Sequence, residues 1–349
     1  MLGIPTVADR VAQMVVKLAI EPILDPIFLT DSYAYRPKKS ALDAVGATRE
    51  RCWKYDWVLE FDIKGLFDNI DHELLMRAVR KHVTCKWVLL YIERWLKAPI
   101  VQEDGTRVER NCGTPQGGVV SPILANLFLH YSFDCWMART RPDLPWCRYA
   151  DDGLVHCRTA QEAEALKAQL QARLGECRLE MHPTKTKVVY CKDGKRRGKY
   201  PNVKFDFLGY CFRPRLVRRF RDHVLFCGFN PAVSPSAMKA MRQAIRDLNI
   251  RRQTQLSLQD IAQQLNPFLR GLLQRSRELT RPCSPQMDRS MSTARCAASA
   301  HGQETTVLYL SPLVRRQPPR WASSAGLLGA SVPGGPAGAD PSGVAPTQS

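Results

Sequence analysis

The sequence predicts an α+β domain organised on a mostly antiparallel sheet. Two observations carry that expectation. Capped helices and short apolar strands interleave through residues 1–275 without the regular β-α-β spacing of a doubly wound parallel sheet. Two extended runs also join through Asp151-Asp152-Gly153, turn chemistry that reads as a β-hairpin. Length agrees: 349 residues, 44% of them hydrophobic, can bury a real core and leave room for about two domains by the usual ~150 residues per domain.

Taken in order, Thr6 and Asp9 mark a helix start, with Val11, Met14, Val15 and Leu18 spaced as its apolar face. Ser40 with Asp43 marks a second. Residues 57–63 read as a strand, and Asp71 then caps a helix whose apolar stripe is Leu74, Leu75, Ala78, Val79 and Val83. Strand runs follow at 146–149 and 153–157. Thr159 and Glu162 open another helix, with Ala163, Leu166, Leu170 and Leu174 on one face. Two further strands are expected at 187–191 and 205–212. From residue 276 the composition changes. Nine of the 24 prolines lie there, Lys, Ile, Phe and Asn vanish, and no apolar period survives, so this tail is expected to be disordered.

Charge narrows the function. The net charge is +18, of which +3 falls in residues 276–349 and +15 in residues 1–275, and such an excess points to a polyanion. A membrane span is not expected: the most apolar stretch, 119–129, is far short of ~18 unbroken apolar residues and contains Ser121, Pro122 and Asn126. The twelve cysteines are scattered, without zinc spacing or a C-x2-C pair, and read as reduced thiols of a cytoplasmic protein.

Against that background two acidic positions stand out. Asp62 ends the apolar strand WVLEFDI, where a lone carboxylate is costly unless paired or bound to a cation. Asp151 and Asp152 sit at the hairpin turn. Each alone has an ordinary reading, a strand-end ion pair for the first and turn chemistry for the second. If the two strands are neighbours, three carboxylates converge at one end of the sheet, the oxygen-ligand set that holds Mg²⁺ beside substrate phosphates.

The blocks FDIKGLFDNIDH, GTPQGGVVSPILANLFL, YADD, HPTKTK and FDFLGY, in that order, resemble the reverse transcriptases of group II intron-encoded proteins. LGIPTVADRVAQ resembles the family's second conserved block, and the resemblance runs over about residues 2–271. It implies a right-hand polymerase palm with partial fingers at 1–230, a partial helical maturase thumb at 231–275 and the tail at 276–349. It implies RNA-directed DNA synthesis, dNTPs added to a primer 3′-hydroxyl with two Mg²⁺ ions, together with a splicing role. The implied partners are intron RNA and a DNA primer or target, with no membrane, in a bacterial-type cytosol or at the nucleoid. Residue by residue, Asp62, Asp151 and Asp152 match the catalytic, metal-binding triad. Phe67 matches the aromatic under the incoming sugar, Gln116 and Gly117 the nucleotide and template pocket, and Lys185 the basic residue near the triphosphate. Phe207-Leu208-Gly209-Tyr210 resembles the segment that grips the primer, although a core strand explains it nearly as well. Lys195, Arg196, Arg197, Arg218 and Arg219 fall in basic runs that flank this segment and are expected on the nucleic-acid backbone.

The resemblance also breaks. The family's Arg-Pro and upstream fingers cations do not precede Leu2. After Gly271, Leu272-Leu273-Gln274-Arg275 stands where a Trp and a Tyr-rich helix are expected. The expectation is a frameshift near Gly271, which translation of the coding DNA in the other two frames tests. Two alternatives accompany the polymerase reading: a non-catalytic intron-RNA-binding maturase fragment, and an inactive remnant of the family.

Overall fold

The computed structural model describes residues 5–101, 104–115, 117–218, 224–253 and 255–278. Helix α1 spans Val7–Leu24, and Thr6 caps it by accepting from the Asp9 N–H at 3.2 Å. Its buried stripe is Gln13, Val16, Ile20 and Leu24. The expected face of Val11, Met14, Val15 and Leu18 instead points to solvent, with Val11 and Leu18 about 60% exposed. The helix is apolar on most sides, so periodicity admits two stripes. Gln13 sits on the buried one, where its side-chain oxygen accepts the Val119 N–H at 2.7 Å.

Helix α2, Ala41–Lys54, opens with a capping box in which Ser40 and Asp43 satisfy each other's backbone N–H groups. Strand β1, Trp57–Asp62, follows, then the short α3, Leu66–Asn69, and α4, His72–His82, capped by Asp71 as expected. Next come α5, Lys86–Lys97, and the small hairpin of β2, Ile100–Val101, and β3, Arg107–Val108. Helix α6, Ser121–Leu129, passes through a π-turn at His130–Asp134 into α7, Cys135–Thr140. Strands β4, Trp146–Tyr149, and β5, Asp152–Cys157, precede α8, Ala160–Glu176, and β6, Lys187–Tyr190. Strands β7, Phe205–Phe207, β8, Tyr210–Arg218, and β9, Leu225–Val233, make a second sheet, followed by α9, Pro235–Asp247, and α10, Leu258–Glu278.

The fold is α+β. Its main sheet has the order β4-β5-β1-β6 and every pairing in it is antiparallel. Alternation on β1 divides two cores. Trp57, Leu59 and Phe61 face a large one roofed by α1, α4, α5, α6 and α8, while Val58 faces a smaller one with Leu154, Cys147 and α2. Gly153 is obligatory at the crossing of β1 and β5. A Cβ there would lie 2.1 Å from Cζ of Phe61, itself fixed against Phe133. Gly153→Ala is therefore expected to cost at least about 1–3 kcal/mol, read as a lower denaturant midpoint at unchanged slope.

Three boundaries differ from expectation. Residues 205–212 are two strands, not one: Leu208 and Gly209, at φ +51° and +81°, form a two-residue hairpin turn between β7 and β8. Strand β9 runs across the expected boundary at 230/231, because Pro231 is held opposite Phe212 within the ladder. Helix α10 continues to Glu278, so the first three residues of the expected tail are helical; residues 279–349 lie outside the described residues. No described helix is long and apolar enough to cross a membrane, and the ten described cysteines are free thiols.

Candidate active site

Asp62 is the last residue of β1 and Asp152 the first of β5, and the register sets them directly opposite each other. Asp151 occupies the two-residue turn from β4 to β5 together with Ala150, whose φ of +56° lets the chain reverse between Tyr149 and Asp152. The three carboxylates thus meet at one end of the central strands, which is the convergence the sequence made conditional on these strands being neighbours. Like charges in register across a sheet repel. Protein crowds both hairpin carboxyls, although Asp152 keeps an exposed surface. Burial and the neighbouring acids push Asp152 up to about 6, and burial, followed by Asp62, raises Asp151.

A cation answers part of that repulsion. The turn 182–186 is pinned at both ends, His182 N–H donating to the Asp62 carbonyl at 2.8 Å and Thr186 N–H to the His182 carbonyl at 3.1 Å. It delivers the Lys185 ammonium onto Oδ2 of Asp62, and that contact raises the lysine above its ordinary range. Beside the triad lies a cleft of about 270 Å³ that Asp62, Asp152, Lys185, Glu60, Lys187 and Asp206 help to line. Burial pushes Glu60 to about 7 against the pull of Lys187 at 3.0 Å. Glu60 was missed from sequence, although its place two residues before Asp62 puts it on the same face of β1.

Beneath the hairpin lies a buried polar network that the sequence did not announce. Arg148 is fully buried on β4. Its guanidinium donates to both oxygens of Asp134 at 2.7 Å, to Ser32 Oγ at 2.8 Å, to Asn126 Oδ1 at 3.1 Å and to the Ala150 carbonyl at 3.2 Å. The last bond ties the network to the residue before Asp151. Asp134 reaches inward from the π-turn between α6 and α7, the kind of helix irregularity that accompanies functional sites. Tyr35, another residue missed, holds a left-handed backbone at φ +55°, and burial and then Asp151 raise its hydroxyl.

Phe67 is on α3, just after β1, partly buried against the large core. Its carbonyl accepts the Thr114 N–H at 2.6 Å, and Gly113 N–H donates to the Ile70 carbonyl at 2.7 Å. Gly113, at φ +81°, has no room for a Cβ, which would sit 2.6 Å from the Asp68 carbonyl oxygen. The Gly-Thr-Pro loop is thereby docked on the helix that carries Phe67. Gly117 is exposed in a turn with φ +103°. Gln116 lies outside the described residues.

The basic residues separate into two kinds. Lys195 and Arg197 are exposed. Arg196 is not available to a nucleic-acid backbone: it donates to Asp193 and to the Cys52 and Tyr55 carbonyls at 3.0 and 2.7 Å. The end of α2 presents unpaired carbonyls, and the guanidinium satisfies them. Arg218 ends β8 with its side chain outside the described residues, and Arg219 lies outside them altogether. Arg196→Ala is expected to lower the melting temperature, and Lys195→Ala, at an exposed side chain, to leave it unchanged within about 0.5 kcal/mol of stability.

The donor set at the triad is carboxylate oxygen alone, without sulfur or imidazole, which suits a hard divalent cation. Among the described residues, no three His, Cys, Asp or Glu already close into a ligand shell. Asp62, Asp151 and Asp152 are the residues that would hold such an ion, and the Lys185 ammonium on Asp62 shows that this carboxylate accepts a cation.

Residues 1–212 match the family model described as reverse transcriptase (RNA-dependent DNA polymerase). Protein YkfC of Escherichia coli is 30% identical over 260 residues, 62% of this chain and 63% of that protein. The group II intron-encoded protein LtrA of Lactococcus lactis subsp. cremoris is 37% identical over 129 residues, 37% of this chain and 21% of that protein. The chain therefore spans less than two thirds of the length of these relatives. Among solved structures, apo telomerase from Candida tropicalis truncated from its C-terminal domain superposes with a TM-score of 0.43 at 13% identity, over 59% of this chain and 43% of that one.

Proposed function

The chain belongs to the reverse transcriptase (RNA-dependent DNA polymerase) family, in its group II intron reverse transcriptase/maturase branch, and on that footing we propose that it extends a primer 3′-hydroxyl with deoxynucleotides on an RNA template. The observation that carries the reading is the register that puts Asp62 across from Asp152, with Asp151 in the adjoining turn. Residues 1–230 form the palm with partial fingers in this reading, residues 231–275 contribute the start of a thumb, and intron RNA is a partner.

Two Mg²⁺ ions, when bound, supply the charge that lets an oxygen attack phosphorus and another leave in line. Asp62 and Asp151 would hold them, and Asp152 would add charge at the same rim. Lys185, seated on Asp62 at the same rim, would meet the triphosphate there, its ammonium stabilising or protonating the departing pyrophosphate oxygen. The Phe67 ring, fixed through α3 and the docked Gly-Thr-Pro loop, stands under the sugar and excludes a 2′-hydroxyl by contact. Gly117 allows backbone to approach the base pair closely.

Primer extension on an RNA template, with and without Mg²⁺, tests the reading. Incorporation by the parent chain that disappears in the Asp151→Asn/Asp152→Asn variant supports it. Incorporation that survives both substitutions removes the active-site assignment. A folded parent chain that binds RNA without extending a primer favours the non-catalytic maturase reading.

A further inference from the structure

Tyr35 holds a backbone conformation that its residue type disfavours. Its φ of +55° is left-handed, which a bulky side chain adopts only where the surroundings enforce it. The enforcement comes from both sides. Ala34, just before it, is fully buried, and its carbonyl accepts Asn126 Nδ2 at 2.6 Å. Arg36, just after it, donates to Asp25 Oδ1 and the Leu29 carbonyl at 2.7 Å, and to the Ser32 and Asp25 carbonyls at 3.1 Å.

The loop runs along the outer edge of β4. Tyr33 N–H donates to the Arg148 carbonyl and Arg148 N–H to the Asp31 carbonyl, both at 3.0 Å, and Ser32 pairs with Arg148 in parallel. Counting on from that pair, Ala34 falls beside Ala150 and Tyr35 beside Asp151. The buried network holds that count. Asn126 binds the Ala34 carbonyl through its nitrogen and Arg148 through its oxygen, and Arg148 in turn binds the Ala150 carbonyl. The Asp151 charge accordingly reaches the Tyr35 hydroxyl.

Tyr33 and Ala34 are buried, yet Tyr35 is 48% exposed. A fold that needed only a turn here would be served better by glycine or asparagine. A strained residue with a half-exposed ring, fixed beside the triad, is a side chain kept for a ligand rather than for the core. Its position says which part of the ligand. The loop lies three inter-strand steps from β1, about 14 Å at ~4.8 Å per step. Phe67 follows β1 and Lys185 reaches Asp62, so the incoming deoxynucleotide would sit on the β1 side. Tyr35 stands on the opposite flank of Asp151, where the template strand would complete the base pair.

We propose that Tyr35 is a positioning residue for the templating nucleotide: its ring packs against the RNA base that pairs with the incoming deoxynucleotide and holds it in line with the triad. The inference rests on the polymerase reading above. Stacking on an aromatic ring tolerates any sequence because every base has a π-face, which suits a position that must accept each template base in turn. The shared network also gives the loop and the Asp151 turn one rigid support, so that template and metal ligands keep a fixed spacing.

The test uses the full chain and a primer annealed to an RNA template. A template with 5-iodouridine at the templating position is expected to photo-cross-link to Tyr35, whereas the same label far back in the duplex is not. Tyr35→Asn removes the ring, and asparagine takes the left-handed backbone readily, so the melting temperature is expected to stay near the parent's. The same variant is expected to lower kcat/KM for the matched deoxynucleotide about five- to a hundred-fold, the range of one lost base–aromatic stack. Insertion of mismatched deoxynucleotides falls less, so discrimination drops, a change that a loosened fold does not produce. Tyr35→Phe restores both. Cross-linking that misses Tyr35 overturns the proposal, and so does Tyr35→Asn with parental kcat/KM and discrimination. A parent chain that extends no primer removes the polymerase reading, and the cross-link then decides by itself whether Tyr35 meets the RNA base.

Discussion

A chain carrying Asp151→Asn and Asp152→Asn is expected to lose nucleotide incorporation by at least about 10³-fold and yet to unfold at a higher temperature than its parent near pH 7.5. The first effect follows from removing carboxylates that would hold cations worth several kcal/mol in phosphoryl transfer, at ~1.4 kcal/mol per decade of rate. The second follows from the same charges at rest. Asp152 is pushed up to about 6 and Asp151 is raised, by burial and by the acids around them. An unfolded carboxyl releases its proton near ~4. Between about 4 and 6 the folded chain keeps a proton that the unfolded chain has lost, so stability falls as pH rises through that window. Above it the penalty is complete. Asparagine removes the penalty, so the gain should be plain at pH 7.5 and small at pH 4. Thermal melts at both pH values measure this without any activity assay. A companion titration with Mg²⁺ should raise the melting temperature of the parent and leave the double variant unmoved. A variant less stable than its parent at pH 7.5 contradicts the electrostatic account.

Arg148→Met is expected to destabilise the chain by about 3–5 kcal/mol, the cost of breaking a buried ion pair from one side. The guanidinium serves Asp134, Ser32, Asn126 and the Ala150 carbonyl together, and Asp134 is 0% exposed, so methionine leaves a waterless carboxylate with only the His130 ring, 3.9 Å away, beside it. Asp134→Asn should cost less, since the amide oxygen still accepts one of the two N–H donors. Urea denaturation of the three chains checks the order, parent above Asp134→Asn above Arg148→Met. Because the Ala150 carbonyl belongs to the turn that carries Asp151, any Arg148 variant that stays folded should also lose incorporation beyond its loss of stability. Equal stability of Arg148→Met and the parent would show that the network carries no net energy.

Much of the site was legible because its signals are local. Asp62 at the end of an apolar strand, and Asp151-Asp152-Gly153 between two extended runs, are anomalies visible within a few residues. The helix caps at Thr6, Ser40, Asp71 and Thr159 were equally plain, since a cap needs only a side-chain acceptor and an N–H three residues on. Other features could not be read that way. Helix α1 offered two apolar stripes, and the choice between them was made by Val119, whose N–H meets Gln13 across 106 positions of sequence. Arg196 looked like its basic neighbours until the end of α2 supplied carbonyls to hold it. Arg148 and Asp134 are unremarkable charges until burial makes them a pair.

The sequence by itself determined the family, the three carboxylates, the capped helices and the excess of positive charge, because each rests on residue identity and short spacing. The tertiary structure alone decided which charges are free and which are spent. Asp62 faces Asp152 through strand register, Lys185 reaches Asp62 through a turn pinned by backbone hydrogen bonds, and three rings are brought together from positions 57, 190 and 200. A side chain's chemistry depends on its solvation and its neighbours, and both are set by contacts between residues far apart in the chain.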